Sequence, residues 1–247
     1  MTCANKTFLV TGVARGIGAA ITHRLLSDGA KVIAMDIHEL PPQYPWRDHP
    51  HFCFQQGDVT HADDVKAIYQ YGLARFGGID VVVNNAGIAQ KRCDLLETDE
   101  AEFDRLMAVN VKSIFLFTRY GVPILERSAA PCIINVGSAI GLRPRPKLTW
   151  YSASKGAANS MTQALAVELA PRGIRVNGVC PVATQTDMLA TLAGGDKEED
   201  IGPLRASIPL GRLAQATDVA SAVAFLASDE ASFLTGVNLP VDGGRSI

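Results

Sequence analysis

Short apolar runs rich in β-branched residues alternate along the 247-residue chain with longer stretches whose apolar positions recur at helical spacing. That alternation predicts βαβ units built around a parallel sheet buried on both faces. Seven runs read as strands: TFLVT (7–11), KVIAMD (31–36), HFCFQQ (51–56), IDVVVNN (79–85), CIINVG (132–137), IRVNGV (174–179) and VNLPVD (237–242). Helical period falls on 16–28, 62–75, 99–128, 152–170 and 217–227. In the last, Val219, Ala222, Val223 and Leu226 share one face, and Thr217 is placed to cap its N-terminus. No internal repeat and no biased linker divides the chain. The expectation is one α/β domain over residues 1–247, a doubly wound parallel sheet of about seven strands with helices on both faces.

Two regions interrupt the rhythm. Residues 39–52, ELPPQYPWRDHPHF, carry four prolines where the first units predict a helix, so an irregular excursion is expected there. Residues 187–212, with Gly194-Gly195, an acidic run from Asp196 to Asp200, Pro203 and Pro209, read as a mobile segment covering a substrate.

Composition adds exclusions. With 47% hydrophobic and 19% charged residues, the chain is of ordinary globular type. A net charge of −2 and the absence of a basic run argue against a nucleic-acid partner. No apolar stretch reaches the ~18 residues of a membrane span, and no leader-like segment opens the chain, which points to the cytoplasm. The five cysteines, Cys3, Cys53, Cys93, Cys132 and Cys180, form no C-x-x-C pair and read as reduced packing residues. The histidines at 23, 38, 49, 51 and 61 lack metal-ligand spacing, and no catalytic metal is expected.

Chemistry enters with TGVARGIG, residues 11–18, between the first strand and first helix. Gly12, Gly16 and Gly18 permit a tight turn, close approach of a pyrophosphate to backbone N–H groups, and close packing of helix on strand. Asp36 ends the second strand, about 20 positions on, where a carboxylate accepts hydrogen bonds from a ribose 2′-OH. A 2′-phosphate there meets like charge, so NAD is favoured over NADP, although Arg15 inside the turn suits a phosphate.

Taken with Asp58-Val59, N-N-A-G (84–87), Asn110, Ser138, Y-x-x-x-K (151–155), Pro181 and Thr186, the chain resembles the classical short-chain dehydrogenase/reductase family from residue 6 to residue 244. The resemblance implies a Rossmann-like fold, and a nicotinamide cofactor held by Gly12, Arg15, Gly16, Ile17, Gly18, Asp36, Asp58, Val59, Asn84, Asn85, Ala86, Gly87, Tyr151, Lys155, Pro181, Val182, Thr184 and Thr186. It also implies a homotetramer. Its catalytic set corresponds to Asn110, Ser138, Tyr151 and Lys155, with Asn110 supporting a water-linked proton path from the lysine, and Lys155 holding the nicotinamide ribose. One departure is Val182, where the family has glycine after Pro181: valine resists positive φ and adds bulk beside the nicotinamide.

The residues support that chemistry independently. Tyr151 and Lys155 lie one helical turn apart, so an ammonium would lower the phenol's ordinary pKa of about 10 and let Tyr151 act as general acid or base. Ser138 would hold the substrate oxygen; no Ser-His-acid constellation accompanies it. The expected function is NAD-dependent interconversion of a small secondary alcohol and a ketone. Alternatives are an NADPH-dependent 3-oxoacyl thioester reductase and a non-catalytic dinucleotide-sensing or scaffold protein. Substrate would be read by 88–95, 139–148 and 187–212. Within the second segment, Arg143, Arg145 and Lys147 are either a solvated loop or an anion-recognising edge.

Overall fold

Residues 3–247 are described by the computed structural model. Its strands are β1 (Thr7–Thr11), β2 (Lys31–Asp36), β3 (Phe52–Gln56), β4 (Val81–Asn84), β5 (Cys132–Val136), β6 (Arg175–Pro181) and β7 (Asn238–Val241). They form one sheet in the order β3-β2-β1-β4-β5-β6-β7, and every pair is parallel. Register explains why both faces are apolar. Ile33, Leu9, Val82, Ile133 and Val176 stand side by side across five strands, and the adjacent row is Val32, Phe8, Val81 and Cys132. Successive residues point to opposite faces, so the two rows feed two separate cores.

The second row packs on α1 (Gly16–Ser27) and α8 (Ala216–Ala227), through Ile21, Leu25, Val219 and Val223. The first row packs on α2 (Ala62–Phe76), α4 (Ser113–Leu125) and α5 (Thr149–Leu169), through Ile68, Phe117 and Ala166. From β1 the chain steps outward to β2 and β3, then returns to place β4 on β1's other side. That reversal opens a crevice at the carboxyl ends of β1 and β4, the usual ligand position in such sheets.

Several elements differ from the expected pattern. The single helix expected over 99–128 is α3 (Glu100–Met107), a π turn (Ala108–Lys112) and α4, with Ser113 N–H reaching back five residues to the Ala108 carbonyl. The helix expected to open at 152 begins at Thr149. The cap expected at Thr217 is displaced: α8 starts at Ala216 with Gln215 as its N-cap residue, whose N–H is accepted by Asp218 at 2.8 Å. Residues 187–212 contain two short helices, α6 (Met188–Ala193) and α7 (Glu198–Ala206). Glu198, Glu199 and Asp200 occupy the first turn of α7, where the helix dipole favours acids. The proline-rich stretch has no helix or strand between Asp36 and Phe52; Trp46 is buried there, stacked on Tyr44 at 4.5 Å. All five cysteines are free, and all but Cys93 are buried.

Candidate active site

A cavity of about 800 Å³ occupies the crevice. One wall is the glycine turn. Gly12 and Gly16 take positive φ, 71° and 56°, which side-chain-bearing residues adopt at a cost. A Cβ on Gly18 would run into the Gly12 carbonyl, and one on Gly12 would lie 2.8 Å from the Ala86 Cα. Arg15, the N-cap residue of α1, makes no capping hydrogen bond. The helix therefore presents backbone N–H groups toward the cavity, with the dipole favouring an anion.

Cross-links hold this turn to its neighbours. Asn85 Nδ2 donates to the carbonyls of Thr11 and Gly12 at 2.7 and 3.0 Å, while Thr11 Oγ1 accepts the N–H groups of Asn85 and Ala86. Asp36, 8% exposed, accepts the N–H of Ala14 at 2.8 Å and of His38 at 2.9 Å. Each of its oxygens keeps acceptor capacity toward the cavity. Asp58 Oδ1 is occupied by the Thr60 N–H and hydroxyl, both at 2.8 Å.

The floor comes from β5 and α5. Tyr151 and Lys155 stand one turn apart on α5, both buried, and Ser138 follows β5. The Ser138 hydroxyl donates to the Pro181 carbonyl at 3.4 Å, accepts the Ile140 N–H, and stands near enough to the Tyr151 phenol to pull its pKa down. Burial pushes the phenol up to about 12, against the pull of Ser138. That reverses the lowered value expected from the lysine. Lys155 Nζ donates instead to the Val136 carbonyl at 2.9 Å, and burial brings its ammonium down to about 8. Desolvation outweighs attraction because both groups are enclosed.

Asn110 lies in the π turn, behind the cavity wall rather than on it. Its amide clamps Ile88, accepting the N–H at 2.9 Å and donating to the carbonyl at 3.0 Å, and also donates to Ser154 Oγ. A Cβ on Gly87 would stand 3.3 Å from both Asn110 Oδ1 and Lys155 Nζ, so the chain leaving β4 passes close to both. Without the extra residue of the π turn, Asn110 would be rotated off this face.

Of the expected cofactor residues, all line the cavity except Asn84, whose amide donates to Asn135 Oδ1 at 2.8 Å inside the sheet. Thr186 covers the glycine turn: a Cβ on Gly16 would come within 3.2 Å of its methyl. Val182 does not take positive φ, so the strain expected there does not arise. Its side chain packs against Leu189, Leu204, Ile208 and Leu213 beneath α6 and α7. Arg143 and Arg145 line the cavity and Lys147 does not; its backbone takes a positive φ of 66°.

Two residues had no signal in type or spacing. Gln90, fully buried, accepts the N–H groups of Trp150 and Tyr151 at 3.1 Å each, and so caps the helix that carries Tyr151. Arg245, beside the Gly243-Gly244 turn, reaches the cavity rim. Among the described residues, no group of three His, Cys, Asp or Glu side chains is placed to hold a metal ion, and no helix is long and apolar enough to cross a membrane.

A dinucleotide suits this arrangement. The glycine cradle has no room for side chains, the α1 N-terminus offers donors for a pyrophosphate, Asp36 offers acceptors for a ribose, and Lys155 and Tyr151 lie farther along the same cavity. Fold and site together define an oxidoreductase that works with a nicotinamide dinucleotide on CH–OH groups.

Comparison with known proteins agrees. A family model described as enoyl-(acyl carrier protein) reductase matches residues 12–246. The chain is 41% identical to 4-formylbenzenesulfonate dehydrogenase of Comamonas testosteroni over the full length of both proteins. It is 36% identical to cis-4-hydroxycyclohexanecarboxylate dehydrogenase of Sinomonas cyclohexanicum, covering 98% of this chain and 96% of the relative. The crystal structure of 3-ketoacyl-(acyl-carrier-protein) reductase from Brucella melitensis complexed with NADH superposes with a TM-score of 0.90 at 39% identity, covering 99% of each chain. The chain belongs to the short-chain dehydrogenase/reductase family.

Proposed function

We propose that the protein interconverts a small secondary alcohol and its ketone, prefers NAD, and uses Tyr151 as general acid and base. The observation that carries this reading is the buried phenol of Tyr151, which lines the same cavity as Ser138, the glycine turn and Asp36. Asp36 supports NAD, since its carboxylate would repel a 2′-phosphate; the Brucella relative was crystallised with NADH. Both named dehydrogenase relatives take compounds in which a ring joins the reacting group to an acid group, which supports a compact substrate here.

A bound nicotinamide supplies or accepts the hydride. The chain's own work is on the oxygen. Ser138 donates a hydrogen bond to the ketone oxygen and fixes it beside the phenol. At neutral pH a phenol held up to about 12 keeps its proton, so Tyr151 is ready to deliver it as the oxygen becomes basic. The phenolate left behind belongs to a residue one turn along α5 from Lys155, whose ammonium, brought down to about 8, is a ready proton source. Asn110 keeps the Ile88 segment clamped to α5 during this transfer. Alcohol oxidation runs the same path backward.

Tyr151→Phe tests the reading. Turnover is expected to fall by about 10² or more with NAD affinity nearly unchanged, the size of a general acid-base contribution. Retained turnover, or loss of NAD binding as the main effect, would reject the role.

A further inference from the structure

The rim above the Tyr151 floor carries an unusual charge arrangement. Arg145 Nη2 and Arg245 Nε both donate to Ser207 Oγ, at 3.2 and 3.0 Å. The hydroxyl's own proton goes to the Leu204 carbonyl at 2.7 Å, so its lone pairs face the two guanidiniums. Two cations thus converge on one neutral oxygen. Both are half-buried and both line the cavity, as does Arg143, whose Nη1 donates at 2.9 Å to a terminal oxygen of Ile247, the last residue, and so has an acid partner.

No Asp or Glu side chain answers Arg145 and Arg245. Among the described residues, neither Arg145 nor Arg245 forms an ion pair with an Asp or Glu side chain. Asp242, nearest along the chain, spends its oxygens on the N–H groups of Gly244 and Ser246. Asp187, on the cavity wall, lies 3.6 Å from Arg15; Asp36 and Asp58 are held by backbone and Thr60. Burial, then the charges of Arg245 and Arg92, hold the Arg145 guanidinium below its ordinary value. Like charges gathered without a counterion cost free energy unless an anion joins them. A guanidinium has five N–H donors, and each of this pair uses one on Ser207. The remaining forks suit a planar or trigonal acid group.

We infer that Arg145 and Arg245, set by Ser207, form a receiving site for the carboxylate or sulfonate of an organic acid substrate whose reacting carbon lies at Tyr151. The inference rests on the proposal that this cavity is the reaction site. Lys147, outside the cavity, has no part in it.

Benzoate and benzamide share a shape and differ in charge, so they read the rim without turnover. Each is titrated calorimetrically into the protein, alone and with saturating NADH. Benzoate is expected to bind at least tenfold more tightly than benzamide in at least one of these states. Arg145→Gln and Arg245→Gln should each raise its Kd about tenfold or more, the scale of a charge-assisted hydrogen bond, and Arg245→Lys should recover part of the loss. Equal affinity for the two probes, no benzoate binding, or a benzoate Kd indifferent to both glutamine variants would overturn the inference and leave the arginines as a tie between loops. Should the glutamine variants fail to fold, the benzoate–benzamide contrast in the unaltered protein decides alone. Hydride transfer is assayed separately: its absence with every alcohol tried would reject the proposed function without touching the benzoate result.

Discussion

Lys155→Met should make the protein more stable and inactive at once. The side chain is 6% exposed, and burial lowers its ammonium from 10.5 to about 8. A fall of that size corresponds to about 3 kcal/mol of penalty on the charged form. Methionine removes the penalty and keeps most of the volume, but forfeits the hydrogen bond to the Val136 carbonyl, about 1 kcal/mol. The net gain is about 2 kcal/mol at pH 7, or about 4–8 °C in Tm for a chain of this size. The sign can be checked through pH. Below about 8 the lysine is protonated in both folded and unfolded chains, so the gap between variant and parent is constant. Between about 8 and 10.5 the unfolded chain binds more protons than the folded one, and the parent gains stability as pH rises. The gap should therefore narrow through that window. Tyr151, pushed up to about 12, makes its own pH-dependent contribution, but it is present in both proteins and cancels in the difference. Thermal unfolding followed by circular dichroism at pH 7 and pH 10 reads both quantities. A methionine variant no more stable than the parent at pH 7, or a gap that does not narrow, would refute the desolvation argument.

Two further outcomes follow from named contacts. Asp36→Ala is expected to raise the ratio of NADP to NAD use about tenfold, measured as kcat/KM with each cofactor; an unchanged ratio would mean that the carboxylate does not read the ribose. Gln90→Leu strips the acceptor from the N–H groups of Trp150 and Tyr151, at a cost of about 1–2 kcal/mol in unfolding free energy. Because the cap orients the helix start that bears Tyr151, kcat should fall while the Kd for NADH holds. A loss confined to stability would reduce Gln90 to a structural cap.

The seven strands were legible because a parallel sheet covered on both faces demands continuous apolar runs, and Val32–Phe8–Val81–Cys132 and its neighbouring row are apolar at every position. Apolar period carries no mark of a single added residue, which is why the π turn at Ala108–Lys112 was hidden inside an apparently unbroken helix. In 187–212 the glycines, prolines and acids gave no mark of helix, because Glu198, Glu199 and Asp200 take their place from the first turn of α7. The floor of the site followed from motif spacing. What spacing cannot weigh is enclosure against attraction, and the direction of the Tyr151 shift turned on that balance. Gln90 was invisible for a related reason: a glutamine in a loop acquires meaning only from the helix end it meets.

The separation between floor and rim has a mechanical basis. Tyr151, Ser138, Lys155 and Asn110 are fixed by β5, α5 and the π turn, through hydrogen bonds to Val136, Pro181, Ile88 and Ser154. Arg145, Ser207 and Arg245 come instead from three segments outside the helices and strands, joined to one another through a single hydroxyl. Replacing a rim side chain therefore breaks none of the bonds that hold the floor. On the proposed roles, substrate charge would be read at the rim apart from the proton path, and cofactor choice, proposed to lie with Asp36 beside the glycine turn, would be independent of both. If that division holds, Arg245→Gln and Asp36→Ala should combine additively in kcat/KM to within about 0.5 kcal/mol, as expected for sites that share no partner. Strong coupling between them would mean that rim and cofactor wall move together.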